Sequence, residues 1–154
     1  MSFLKTFREW VGFNPLDFFL NFTLKQYVVT FFHEYWHLAT AQLLGGDGYI
    51  TLQGIIAFWT HLNIEPPTQA GQVLVAFMGG IGVAVLCGIF WIFDSDIEDK
   101  LIWAAVGHSQ FWYGLTEGTL FYFGRMDLIW KLGLVAIIVP VMYILATSKE
   151  LWDK

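Results

Sequence analysis

The chain has 154 residues, of which 56% are apolar, 19% aromatic and only 14% charged, with a net charge of -5 at pH 7. That composition is expected of a membrane protein, and a chain this short, divided among several spans, leaves no room for a separate soluble domain. The negative charge argues against nucleic acid as a partner. Within residues 1–14, Phe3, Leu4, Phe7, Trp10 and Val11 fall on one helical face and Lys5, Arg8 and Glu9 on the other, as in an interfacial helix lying on the membrane. Charge, Gly and Pro interrupt this start, so no removable signal sequence is expected.

Asn14-Pro15 reads as an N-cap followed by proline at the first helical position, opening a helix over 15–44. It is either continuous or broken near Thr23 to Gln26, where FTLKQ is more polar, before YVVTFFHEYWHLATAQLL reaches Gly45-Gly46. That last run has about the length needed to cross roughly 30 Å of hydrocarbon. The connection 45–67 holds YITLQGIIAFW, Tyr49 to Trp59, which reads as a short extended segment, and closes at Pro66-Pro67.

Residues 68–93 form the clearest apolar span, in which Gly79, Gly80, Gly82 and Gly88 offer sites of close helix approach. Cys87, the single cysteine, sits in its apolar run as a packing residue and rules out an intrachain disulfide. After the acidic loop DSDIEDK, further spans are expected over 97–123 and 127–147. The expected fold is therefore an all-α, multi-pass integral membrane domain with about four transmembrane helices, an interfacial helix and a short extended segment. Lys5, Arg8, Lys25, Lys100, Lys149 and Lys154 fall on one side of that arrangement, which assigns both termini to the cytoplasm and 45–67 to the outside.

The first span carries His33-Glu34-Tyr35-Trp36-His37, an HExxH pattern. Residues four apart on an α-helix lie about 40° apart around the axis and one turn along it, so both imidazoles can reach one ion. Glu34 lies beside that face, where a carboxylate can take a proton from water acidified by the ion. Three ionisable groups in a membrane span cost about 2–3 kcal/mol each unless a partner compensates, and a metal ion is such a partner. Zinc is the expected cofactor, although two imidazoles and a carboxylate also suit other divalent transition metals.

The stretch FFHEYWHLATAQLLGGDGYITL resembles the first core helix of site-2-protease-like intramembrane metalloproteases, where HExxH is followed by a Gly-Gly helix end and a short strand. VAFMGGIGVAVLCGIF is similar to that family's small-residue second core helix. The family's third ligand is the aspartate of NxxPxxxxDG. Here Thr119, Tyr122, Asp127 and Leu128 keep the spacing, with Thr for Asn, Tyr for Pro, Leu for Gly and only Asp127 retained. The resemblance implies a membrane-embedded zinc peptidase with His33, His37 and Asp127 as ligands and Glu34 as general base. Its partners would be lipid and an unwound transmembrane peptide, which the 49–58 segment could meet as an added strand.

The residues by themselves leave the third ligand open among Asp127, Glu117, His108 and His61. His108 and Glu117, nine apart, lie about 180° apart on a straight helix, so they cannot serve one site. Gln110 and Glu117 share a face. Of the aromatics, Trp36, Trp112, Tyr113, Tyr122 and Trp130 are either packing residues or the walls of a substrate groove. A second function class fits the same residues: a non-catalytic membrane subunit of a larger complex that retains a metal site.

Overall fold

A computed structural model describes residues 14–54 and 57–152, with side chains described to Thr147 and that of Pro15 excepted. The interfacial helix expected over 1–14 lies outside the described residues apart from Asn14. The described chain is mostly helical, with four helices, two of them apolar enough to cross a membrane, and one small two-stranded sheet.

Helix α1 spans Pro15–Leu43. Asn14 Oδ1 accepts the Leu16 N–H at 3.1 Å, and Pro15 stands where a missing N–H does no harm, so the expected start is met. The helix ends at the glycine pair. Gly45 takes φ +84°, Gly45 N–H donates to Gln42 O at 3.1 Å and Gly46 N–H to Ala41 O at 2.8 Å, the paired closure that absorbs the last carbonyls. Between these ends the helix is unbroken. The polar stretch near Thr23 to Gln26 is not a break, because Thr23 bonds back to Phe19 O, Lys25 pairs with Asp99 and Gln26 turns inward. Phe18, Val29, His33, His37 and Ala41 are buried on one face, while Leu16, Leu20, Leu24, Val28 and Tyr35 are exposed on the other.

The connection is a hairpin where a single extended segment was expected. Strand β1, Asp47–Gln53, turns back at Gly54, φ +68°, and pairs antiparallel with β2, Ala57–Ile64, setting Ile50 opposite Thr60 and Leu52 opposite Phe58. Phe58 holds the hairpin to α1 through ring contacts with Phe31 at 5.3 Å and Tyr27 at 6.2 Å.

Helix α2, Gln69–Phe93, begins at Thr68, whose hydroxyl accepts the Gly71 N–H. Helix α3, Ile97–Tyr122, begins at Asp96, which accepts from Glu98 and Asp99. The two cross at glycine on both sides: a Cβ on Gly80 would strike the α3 backbone at Gln110 and Gly114, and one on Gly114 would strike Gly80. Gly88, one of the expected approach sites, faces open space.

A second paired closure at Gly124, φ +64°, ends α3. A 3-10 turn, Met126–Leu128, leads into α4, Ile129–Trp152, which packs along α3 and contains Pro140. Gln69–Phe93 and Met126–Thr147 are the two segments long and apolar enough to cross a membrane. An apolar core of Phe18, Val83, Cys87, Ile102, Val106 and Leu145 occupies the start of α1, the ends of α2 and α4 and the first half of α3. Because successive helices are antiparallel, the other end of the bundle brings together the end of α1, the start of α2, the end of α3 and the hairpin. His33, His37, Glu34 and Glu117 lie toward that end.

Candidate metal centre

His33 and His37 lie one turn apart on the inner face of α1, as their spacing requires, and both are buried. Their rings abut α2 at Gly79, where a Cβ would collide with Nε2 of both histidines. From α3, Glu117 reaches the same point. His33 Nε2 lies 2.9 Å from His37 Nε2, and Glu117 Oε2 lies 3.2 Å from the first and 3.5 Å from the second. Among the described residues, His33, His37 and Glu117 are the one group of three that could share a metal ion.

The outer nitrogens are already committed. His37 Nδ1 is 2.7 Å from the Val75 carbonyl oxygen, which can only accept, so that nitrogen carries the hydrogen. His33 Nδ1 lies 2.9 Å from Gln110 Oε1, an oxygen that can accept a hydrogen from that nitrogen. In the neutral rings both Nε2 atoms are then bare lone pairs, and with Glu117 Oε2 they make three acceptors aimed at one another. Such a set is repulsive without a cation or an added proton at its centre. Two imidazoles and one carboxylate form a known catalytic zinc set that leaves a fourth position open. Ligand bonds of about 2.0–2.1 Å in a tetrahedron set donor atoms roughly 3.3 Å apart, and the three separations bracket that value. The donor set fits zinc.

Glu34 lies on the next face of α1 and lines the same cavity. Its Oε2 accepts the Thr60 N–H at 2.8 Å, and its backbone carbonyl accepts the Thr60 hydroxyl at 2.8 Å, so β2 holds it at both ends. The cavity, about 630 Å³, has walls from Trp59 and Leu62 of β2, Tyr113 of α3 and Trp130 and Ile137 of α4. That volume suits a small ligand or a few residues of extended peptide. The Tyr113 ring stands 5.5 Å from that of His33.

The remaining candidates lie elsewhere. Asp127, expected as the third ligand, is outside this cluster: its carboxylate is 62% exposed and bonds Arg125 Nε at 3.1 Å and Nη2 at 3.3 Å. The physical reason is the closure at Gly124, after which the chain leaves the α3 axis and turns Asp127 toward its own neighbour. His108 is exposed on the far side of α3, where Nδ1 donates to Ala104 O, and His61 bonds Thr51 and stacks on Tyr49 within the hairpin. Trp36 packs over Gly82, whereas Trp112 and Tyr122 are outward-facing. Glu117 was readable in one respect: it falls seven residues after Gln110, on the same helical face, so two groups able to serve His33 rise on one side of α3.

No family model matches the chain, and no curated protein or solved structure matches it either.

Proposed function

We propose that the chain is a membrane-embedded, zinc-dependent hydrolase of site-2-protease-like type, with His33, His37 and Glu117 as its metal ligands. The observation that carries this reading is the convergence of three acceptor atoms, Nε2, Nε2 and Oε2, whose rings are held by second hydrogen bonds in the form that leaves Nε2 free. Held by these three residues, zinc would supply Lewis acidity for a carbonyl and for a water near neutral pH.

Glu34 acts as general base. Its carboxylate faces the cavity from the residue next to His33, and the Thr60 N–H anchors one oxygen while the other can accept a proton from water and pass it to a leaving amine. Trp59, Thr60 and Leu62 of β2 line the cavity, so an extended substrate would lie beside this strand, since an intact helix hides its peptide bonds. A transmembrane peptide is the substrate class this arrangement suits.

Membrane integration through all four helices is part of the same proposal. Supporting it, Leu16, Leu20 and Leu24 of α1 and Leu134, Ile138 and Met142 of α4 form exposed apolar stripes, the surface a lipid environment would cover. In α1 and α3 the charged groups include the inward Lys25, Glu34 and Glu117, which lower the apparent hydropathy of each helix without facing the lipid side.

The deciding experiment is metal analysis of the purified chain, paired with a peptidase assay of Glu34→Gln. About one zinc per chain, retained in that variant while hydrolysis falls by about 10²- to 10⁴-fold, is expected. Metal-free protein after purification without chelators would remove the basis of the proposal. A second reading is favoured by one observation: Thr60 engages both the carboxylate and the carbonyl of Glu34, so this residue also tethers the hairpin. If Glu34→Gln keeps full biological function and the chain copurifies in fixed ratio with other membrane proteins, the chain is a non-catalytic subunit with a metal site.

A further inference from the structure

Ser109, fully buried on α3, donates its hydroxyl hydrogen to the Val106 carbonyl at 2.8 Å. Its oxygen is thereby left as an acceptor, and Gln26 Nε2 of α1 donates to it at 2.6 Å. This orients the Gln26 amide with Oε1 toward Gln110, whose Nε2 donates to it at 2.8 Å. Gln110 Oε1 is then the atom left for His33, at 2.9 Å from Nδ1. With the Ser109 hydroxyl on Val106 O, a carbonyl that has no hydrogen to give, each link runs in this direction; the opposite sense requires that hydroxyl to turn to Gln26, both amides to reverse together and His33 to carry its hydrogen on Nε2. Reversing any one amide would set donor against donor or acceptor against acceptor in a buried place.

A neutral imidazole carries one N–H, and the partner of one nitrogen decides which nitrogen is bare. We propose that Gln110 is a positioning residue for the metal site, and that Gln26 and Ser109 hold its amide in the one orientation that puts the hydrogen of His33 on Nδ1 and presents Nε2 as a lone pair. His37 has no need of such a device, because Val75 O is an acceptor by nature. His33 faces a side-chain amide that could present either end, and the bond of the Ser109 hydroxyl to Val106 O, passed on through Gln26, favours the end that accepts. The proposal rests on the metal-binding reading of His33, His37 and Glu117.

The test uses the full chain in detergent micelles. ¹⁵N-histidine NMR of the metal-free protein, at a pH where the rings are neutral, reads the His33 tautomer, and competition with a chromophoric chelator reads Zn²⁺ affinity. Wild type is expected to carry hydrogen on Nδ1. Gln110→Leu shifts it toward Nε2, where Glu117 can accept it, and weakens Zn²⁺ binding by about 10- to 100-fold. Gln110→Glu, which keeps an oxygen facing Nδ1, restores both readouts. Ser109→Ala releases the amides to flip, giving a mixed tautomer and a smaller loss, and it serves where Gln110→Leu does not fold. An unchanged Nδ1–H tautomer in folded Gln110→Leu and Ser109→Ala overturns the proposal even if wild type binds zinc. Wild type that binds no zinc overturns the metal reading instead, while the tautomer comparison still decides the role of Gln110.

Discussion

Glu117 and Asp127 make opposite predictions about one measurement. Glu117 touches both histidines, whereas Asp127 is outward and paired with Arg125. Glu117→Ala should therefore lower zinc affinity by at least about 100-fold, beyond what loss of an outer partner does, and Asp127→Ala should leave the metal content of the purified chain unchanged. Retained zinc with Glu117→Ala would contradict the ligand assignment. His33, Glu34 and His37 were legible from spacing alone, because all three lie on one helix whose geometry is known in advance. The third member of the group, Glu117, comes from another helix, and spacing within α3 does not say which of its faces meets α1. The interval from Thr119 to Asp127 kept only the spacing and the aspartate of a motif, and Gly124 breaks the helix inside it, so equal sequence spacing no longer means equal geometry.

At the level of elements, glycine at the α2–α3 crossing decides how closely the helices approach. Gly80→Ala or Gly114→Ala places a methyl against backbone, and overpacking of this kind destabilises by about 1–3 kcal/mol. Thermal unfolding in detergent should show a Tm lower by several degrees for either variant. Gly88→Ala, which meets nothing within 4 Å, should change stability by no more than about 1 kcal/mol. Equal losses at all three positions would contradict the packing described for this crossing. The start of α1 at Asn14-Pro15 and its end at Gly45-Gly46 were readable because caps are local chemistry. The hairpin was not, since a weakly alternating apolar run is compatible with one strand or two until Gly54 is seen to turn. The polar stretch near Thr23 to Gln26 left a continuous or a broken helix open for a related reason: residues that bond to a neighbouring helix look in sequence like residues that seek water.

For the whole molecule, α2 separates the hairpin from the loop before α3. Its 25 residues extend about 37 Å, more than the roughly 30 Å of a hydrocarbon core. In a Cys87→Ala background, Asp47→Cys and Asp96→Cys should thus react with an impermeant thiol reagent from opposite sides of a sealed vesicle. Reaction from one side only would contradict a membrane crossing by α2. Composition and hydropathy pattern determined that the chain would be mainly helical and rich in apolar surface, and HExxH determined that one helix would present two imidazoles and a carboxylate within one turn. Those features are properties of a single segment. Tertiary structure alone decided that Glu117 completes the group, that Gln110 and Val75 hold the two rings, and that Thr60 holds Glu34. Each is a contact between elements 26 to 84 residues apart, set by how α1 packs against α2, α3 and the hairpin, and no periodicity within one segment encodes it.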